Sequence, residues 1–147
     1  MATLVVPMAG RSSRYPNLRP KWMLSHPMSN TFMGIAAIQG LNLDFFDKIY
    51  WVTLKEYQEK YQFEQGYLEE LDQVGLKEKS EIVLLDKETS SQSETVCELI
   101  KKKNLKDFIF IKDSDGYYEC ELKDGSNQVA YFDLNDMDNI NARSKSY

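Results

Sequence analysis

Four short apolar runs alternate with stretches of helical character, and this alternation constrains the fold more than any other feature of the chain. TLVVP (residues 3–7), DKIYWVTL (47–54), SEIVLLD (80–86) and DFIFIKD (107–113) are β-branched or aromatic and bounded by loops, so they read as buried strands. The residues between them carry the helical signals. Successive parallel strands need a crossover, usually a helix, so the order predicts an α/β fold: a mostly parallel sheet with helices on both faces. In such sheets ligands sit beyond the carboxyl ends of the strands. The loops after Pro7, Asp86 and Ile111 are therefore where chemistry is expected.

The intervening segments are read as follows. Residues 29–43 place Phe32, Ile35, Ala36 and Ile38 at three- and four-residue steps and predict a helix capped by Ser29 or Asn30. Residues 55–75 predict a helix with a possible break at Gly66 and a stop at Gly75. Residues 87–103 begin as loop and become helix, with Ser91 and Glu94 at capping-box spacing and three lysines near the end, where they suit the macrodipole. GYYECEL (116–122) and QVAYFDL (128–134) flank KDGSN and predict a hairpin.

Composition narrows the partners. With 147 residues the chain reads as one domain, and its net charge of −5 argues against general nucleic-acid binding. No apolar run reaches the length of a membrane span, and no signal peptide is evident, so the cytoplasm is the default compartment. Cys97 and Cys120 lack C-x-x-C spacing and read as buried, reduced thiols.

Against this acidic background, PMAGRSSRYPNLRPK (7–21) gathers three arginines and a lysine. Ala9 and Gly10 let backbone approach an anion, Ser12 and Ser13 add hydroxyls, and Arg14 and Lys21 can bind phosphate oxygens; a solvated surface loop is the alternative. No Walker-type phosphate loop is present. LLDKETSSQSETV (84–96) offers hydroxyls and a helix N-terminus, or simply a helix cap. In FIFIKDSDGYY (108–118), Asp113 and Asp115 can hold a divalent cation that also binds phosphate, or can form a turn. Together the three loops describe a nucleoside-triphosphate site.

The first loop resembles the signature of the nucleotidyltransferases that activate sugar phosphates and choline phosphate, through Ala9, Gly10, Ser13, Arg14, Pro20 and Lys21. The resemblance covers nearly the whole chain. It implies a Rossmann-like fold of the glycosyltransferase-A type. The implied reaction transfers NMP, with CMP favoured, from an NTP to a phosphorylated small-molecule acceptor and releases pyrophosphate, in surface or capsular polysaccharide precursor synthesis.

By position, the backbone of Met8, Ala9 and Gly10, with Ser12 and Ser13, would cradle the triphosphate. Arg14 would bind the β- and γ-phosphates, Lys21 the α-phosphate, and Gln92 and Ser93 would face the base. Asp113, with Asp115 the competing choice, would carry Mg²⁺. Arg11 and Arg19 do not match the signature and read as solvated. Two departures stand out. Ser12 replaces a second glycine, and the chain stops where family members continue, so it resembles the nucleotide-binding portion of a longer enzyme. A non-catalytic nucleotide-binding or interaction module is the competing reading, and exposed strand edges predict self-association. His26 reads as loop structure, Trp22 as packing beneath the first loop, and Tyr57, Tyr61 and Tyr67 as helix packing.

Overall fold

The computed structural model describes residues 2–11, 14–123 and 127–131. Four strands lie in one sheet: β1 (Ala2–Pro7), β2 (Lys48–Leu54), β3 (Ser80–Leu85) and β4 (Phe108–Ile111). Their spatial order is β3-β2-β1-β4, and every pairing is parallel. Both central strands are buried almost throughout, which is why their sequences read as continuous apolar runs rather than alternating ones.

Four α-helices flank the sheet: α1 (Met33–Ala37), α2 (Lys55–Tyr61), α3 (Glu64–Gln73) and α4 (Gln92–Lys103). Neighbouring strand residues face opposite ways, so Tyr50 and Trp51 report on the two faces. Tyr50 stands beside Glu81 in the β2–β3 register, and Glu81 accepts a hydrogen bond from Lys103 of α4. On the opposite face, Tyr67 of α3 meets the Trp51 ring edge-on, 5.2 Å between centroids. Trp51 and Tyr67 are both fully buried and anchor this side of the core. This is the α/β architecture with helices on both faces that the alternation predicts.

Four expectations are corrected. The helix expected over 29–43 is confined to Met33–Ala37. Ser25 and Phe32 instead form an antiparallel bridge around a turn in which Asn30 adopts φ 56°, a left-handed value that excludes Asn30 as the start of a helix. His26 Nδ1 accepts from the Ser29 amide at 3.3 Å, so the sole histidine serves the turn, as expected. The second long helix breaks at Gln62, φ 49°, rather than at Gly66, which lies inside α3. The break turns both Phe63 and Tyr67 inward onto Trp22, with centroids 4.8 and 5.7 Å away. Gly75, at φ 73°, sits just past the end of α3, where a glycine stop was expected.

The third correction concerns the hairpin. Residues 116–122 form no strand, nor do the described residues of its other arm; 124–126 and 132–134 lie outside the described residues. Tyr118, Cys120 and Leu122 instead pack against the core, and a Cβ on Gly40 would lie only 2.3 Å from the Tyr118 carbonyl oxygen. This close approach fixes the segment against the loop after α1. The thiols also differ from expectation: both are free, but Cys97 is exposed on the outer face of α4 and Cys120 is half-buried. No helix among the described residues is long and apolar enough to cross a membrane.

Candidate functional site

Beyond the carboxyl ends of β1, β3 and β4 lies a cavity of about 570 Å³, lined by all three loops singled out in the sequence. The first contributes Met8, Ala9, Gly10, Arg14 and Lys21, the second Thr89, Ser91 and Gln92, and the third Asp113 and Asp115. Ser93 does not line it, and Ser12 and Ser13 lie outside the described residues.

The first loop leaves β1 under tight backbone control. The Met8 amide donates to the Val52 carbonyl at 2.6 Å, and Thr53 Oγ1 donates to the Met8 carbonyl at 3.1 Å. The Tyr57 hydroxyl donates to the Gly10 carbonyl at 3.2 Å. These bonds hold the loop from behind, whereas a Cβ on Gly10 would meet no atom within 4 Å. The backbone there faces open space, with room for a ligand to approach. Burial first of all, opposed by the nearby Arg11 guanidinium, holds the Tyr57 phenol above its ordinary pKa, so it stays a donor at neutral pH.

The two signature cations differ in their surroundings. Arg14 has no hydrogen-bond or ion-pair partner among the described residues. Lys21 opens a short 3₁₀ turn (Lys21–Met23), and its ammonium lies 3.1 Å from Asp115 Oδ2. Trp22, immediately after it, is 2% exposed and packs beneath the loop, as expected.

In the second loop the hydroxyls are spent on the helix. Ser91 Oγ accepts from the Glu94 amide at 3.1 Å, and Glu94 accepts from the Ser90 amide at 2.5 Å and from its hydroxyl at 2.6 Å. The reciprocal bond thus reaches one residue before the cap. These bonds hold the Glu94 carboxyl below its ordinary pKa, the Ser90 hydroxyl contributing most. Thr89 and Thr95 share a 2.6 Å hydroxyl contact. Only the Gln92 side of this loop is left facing the cavity without such commitments.

The third loop carries a residue the sequence reading missed. Lys112, 2% exposed, follows β4 and bonds the Asp113 carboxylate, the Asp113 carbonyl at 3.0 Å and the Gly116 carbonyl. All three ammonium protons are therefore used. Its Nζ also lies 4.3 Å from the Tyr118 ring centre. Burial, then Asp113, push the Tyr118 phenol up to about 12. Lys112 was hidden because a lysine ending an apolar strand looks like a solvated boundary residue.

Arg11 is a further correction. It is not merely solvated but bonds Glu56 Oε2 and Glu88 Oε1, each at 2.8 Å. Arg19 lies over the Tyr61 ring, 5.7 Å from its centre.

No cluster of three or more metal-binding side chains occurs among the described residues. Asp113 and Asp115 nonetheless offer hard oxygen donors on one cavity wall. Mg²⁺ commonly takes only one or two carboxylates and completes its shell with phosphates and water, so this donor set fits it.

No protein-family model matches the chain, and no curated protein matches it. Among solved structures it is similar to a nucleoside-diphosphate-sugar pyrophosphorylase from Vibrio cholerae RC9, with a TM-score of 0.55 and 24% sequence identity. The likeness covers 82% of this chain and 51% of the other, so the chain spans about half that protein's length. What the two share at this identity is the fold: a parallel, Rossmann-like sheet flanked by helices.

Proposed function

We propose that the cavity binds a nucleoside triphosphate and belongs to a nucleotidyl-transfer site. The observation that carries this reading is the meeting of Gly10, Arg14, Lys21, Asp113 and Asp115 at one sheet edge. The pyrophosphorylase sharing the fold supports it.

In this reading an oxygen of the acceptor's phosphate attacks the α-phosphorus. A new P–O bond forms as the bond from the α-phosphorus to the bridging oxygen breaks, and pyrophosphate leaves with the electron pair. The acceptor is already ionised, so no base is required. Open backbone at Gly10 admits the triphosphate, and Arg14, without an ion-pair partner among the described residues, takes the leaving β- and γ-phosphates bidentately. Lys21 exchanges Asp115 for an α-phosphate oxygen, which frees the carboxylate. Asp113 and Asp115 would then hold Mg²⁺, whose charge offsets that of the phosphates when it is bound. Gln92 faces the base. CTP is the favoured nucleotide, and the favoured setting is cytoplasmic synthesis of a surface-polysaccharide precursor.

Pyrophosphate release, followed across the four NTPs and a panel of phosphorylated alcohols and sugars, tests the reaction. Turnover that depends on Mg²⁺ and falls at least tenfold in Arg14→Ala is expected. The self-pairing of Lys21 with Asp115 and of Lys112 with Asp113 favours a second reading, a module that binds nucleotide without catalysis. Saturable NTP binding with no pyrophosphate from any acceptor would select it.

A further inference from the structure

Arg11 joins three segments. Its Nη2 is 2.8 Å from Glu56 on α2, and its Nε is 2.8 Å from Glu88, between β3 and α4. Arg11 and Glu88 both line the cavity from different loops. Glu56 precedes Tyr57, whose hydroxyl already holds the Gly10 carbonyl. The first loop is thus tied twice to α2 and once to the opposite rim.

A guanidinium presents planar N–H groups in several fixed directions and can hold two carboxylates at once, which an ammonium on a flexible stem does less well. Two carboxylates against one cation also leave Arg11 committed, unlike Arg14. We infer that Arg11 is a positioning residue: it fastens the two rims of the cavity together and so sets how long a nucleotide seated between them stays bound. This rests on the nucleotide reading above.

The side chains of Arg11, Glu56 and Glu88 are 48%, 57% and 51% exposed, so neither pair is strong and both are screened by salt. The fastening is a latch that opens thermally, and its effect is correspondingly modest. Its natural readout is dissociation, because contacts made after encounter act chiefly on the off-rate.

The test uses the whole chain carrying Arg11→Ala, Arg11→Lys or Glu88→Gln. In ligand-free protein, amide exchange across residues 8–11 and 88–92 is expected to rise about two- to fivefold in Arg11→Ala. Dissociation of a fluorescent CTP analogue is expected to accelerate by the same factor, with the difference shrinking as NaCl is raised. Glu88→Gln should behave like Arg11→Ala, and Arg11→Lys should keep part of the fastening and so show a smaller rise. Unchanged exchange would overturn the fastening whatever the nucleotide does. Faster exchange with unchanged dissociation would overturn the control of residence, since a purely structural bridge predicts that result. A folded wild-type chain that binds no nucleotide would defeat the nucleotide reading instead, and exchange would still decide the fastening.

Discussion

Two lysine–aspartate pairs stand side by side at the end of β4, and they differ in everything except chemistry. Lys112 is buried, with all its protons donated within residues 113–116 and its charge over the Tyr118 ring. Lys21 and Asp115 are each more than 40% exposed and meet through a single 3.1 Å contact between two loops. Removing the buried Lys112 ammonium takes one shared donor from three acceptors, although the Asp113 carboxylate is itself 36% exposed, whereas a pair exposed on both sides exchanges one partner for another at little cost. The buried pair therefore shapes the loop, and the exposed pair is free to trade its partners for ligand.

The largest expected effect follows from the buried member. Lys112→Ala removes the donor to two carbonyls and the Asp113 carboxylate and is expected to cost about 2 kcal/mol, read as a lowered denaturant midpoint, the one-third exposure of Asp113 limiting the loss. A loss below about 1 kcal/mol would erase the distinction between the pairs. Lys21→Ala should be nearly silent in the same experiment, at about 0.5 kcal/mol or less, because its pair is exposed. It should nonetheless weaken nucleotide binding by tenfold or more. Stability falling as far as in Lys112→Ala would show that Lys21 is structural too.

A smaller effect comes from the far end of the sheet. Burial raises the Glu81 carboxyl, but hydrogen bonds from Lys103 and Lys48 outweigh it and hold the group below the ordinary glutamate value of 4.5. A carboxyl depressed by folding stabilises the protein above its unfolded pKa and loses that contribution as pH falls through the folded one. Stability should therefore decline on acidification below about pH 4.5, and Glu81→Gln should flatten that decline. Because Glu81 is about one-third exposed and screened, only a shallow change in slope is expected. An acid profile identical to wild type would remove it from the account. The same mutation should leave nucleotide binding untouched, since Glu81 does not line the cavity.

The frame of the molecule was legible because burial on both faces writes a strand as an unbroken apolar run. Ile49 to Leu54 and Leu4 to Val6 are almost wholly buried, and nothing but a covered parallel strand explains such runs between helices. The Ser91 cap was legible for a similar reason: its bond to the Glu94 amide is local, so spacing suffices. The errors arose where distant residues decide. The break at Gln62 serves Phe63 and Tyr67 as they close on Trp22, some forty residues earlier in the chain. The turn before α1 is pinned from outside, with Glu70 accepting from the Phe32 amide at 2.7 Å. Segment 116–122 alternates like a strand, but it forms no strand, and Tyr118, Cys120 and Leu122 pack on the core.

The candidate site divides along the same line. Loop composition singled out Gly10, Arg14, Lys21, Asp113 and Asp115, the family resemblance added Gln92, and all six line one cavity. Ser93 does not line it, because the first turn of α4 directs Gln92 and Thr95 toward the cavity and Ser93 away. Arg11, Glu88 and Tyr57 went unread as site residues because each matters through a partner on another element, and Lys112 because its bonds are local to a loop whose lysine looks like a solvated boundary residue.

The measurement that most directly tests the central claim is calorimetric titration of the folded chain with CTP, GTP, UTP and ATP in the presence of Mg²⁺. One nucleotide is expected to bind at a single site, with Arg14→Ala and Lys21→Ala each weakening binding at least tenfold while leaving the unfolding midpoint nearly unchanged. A folded wild-type chain that yields no binding heat with any of the four would contradict the assignment of this cavity to a triphosphate.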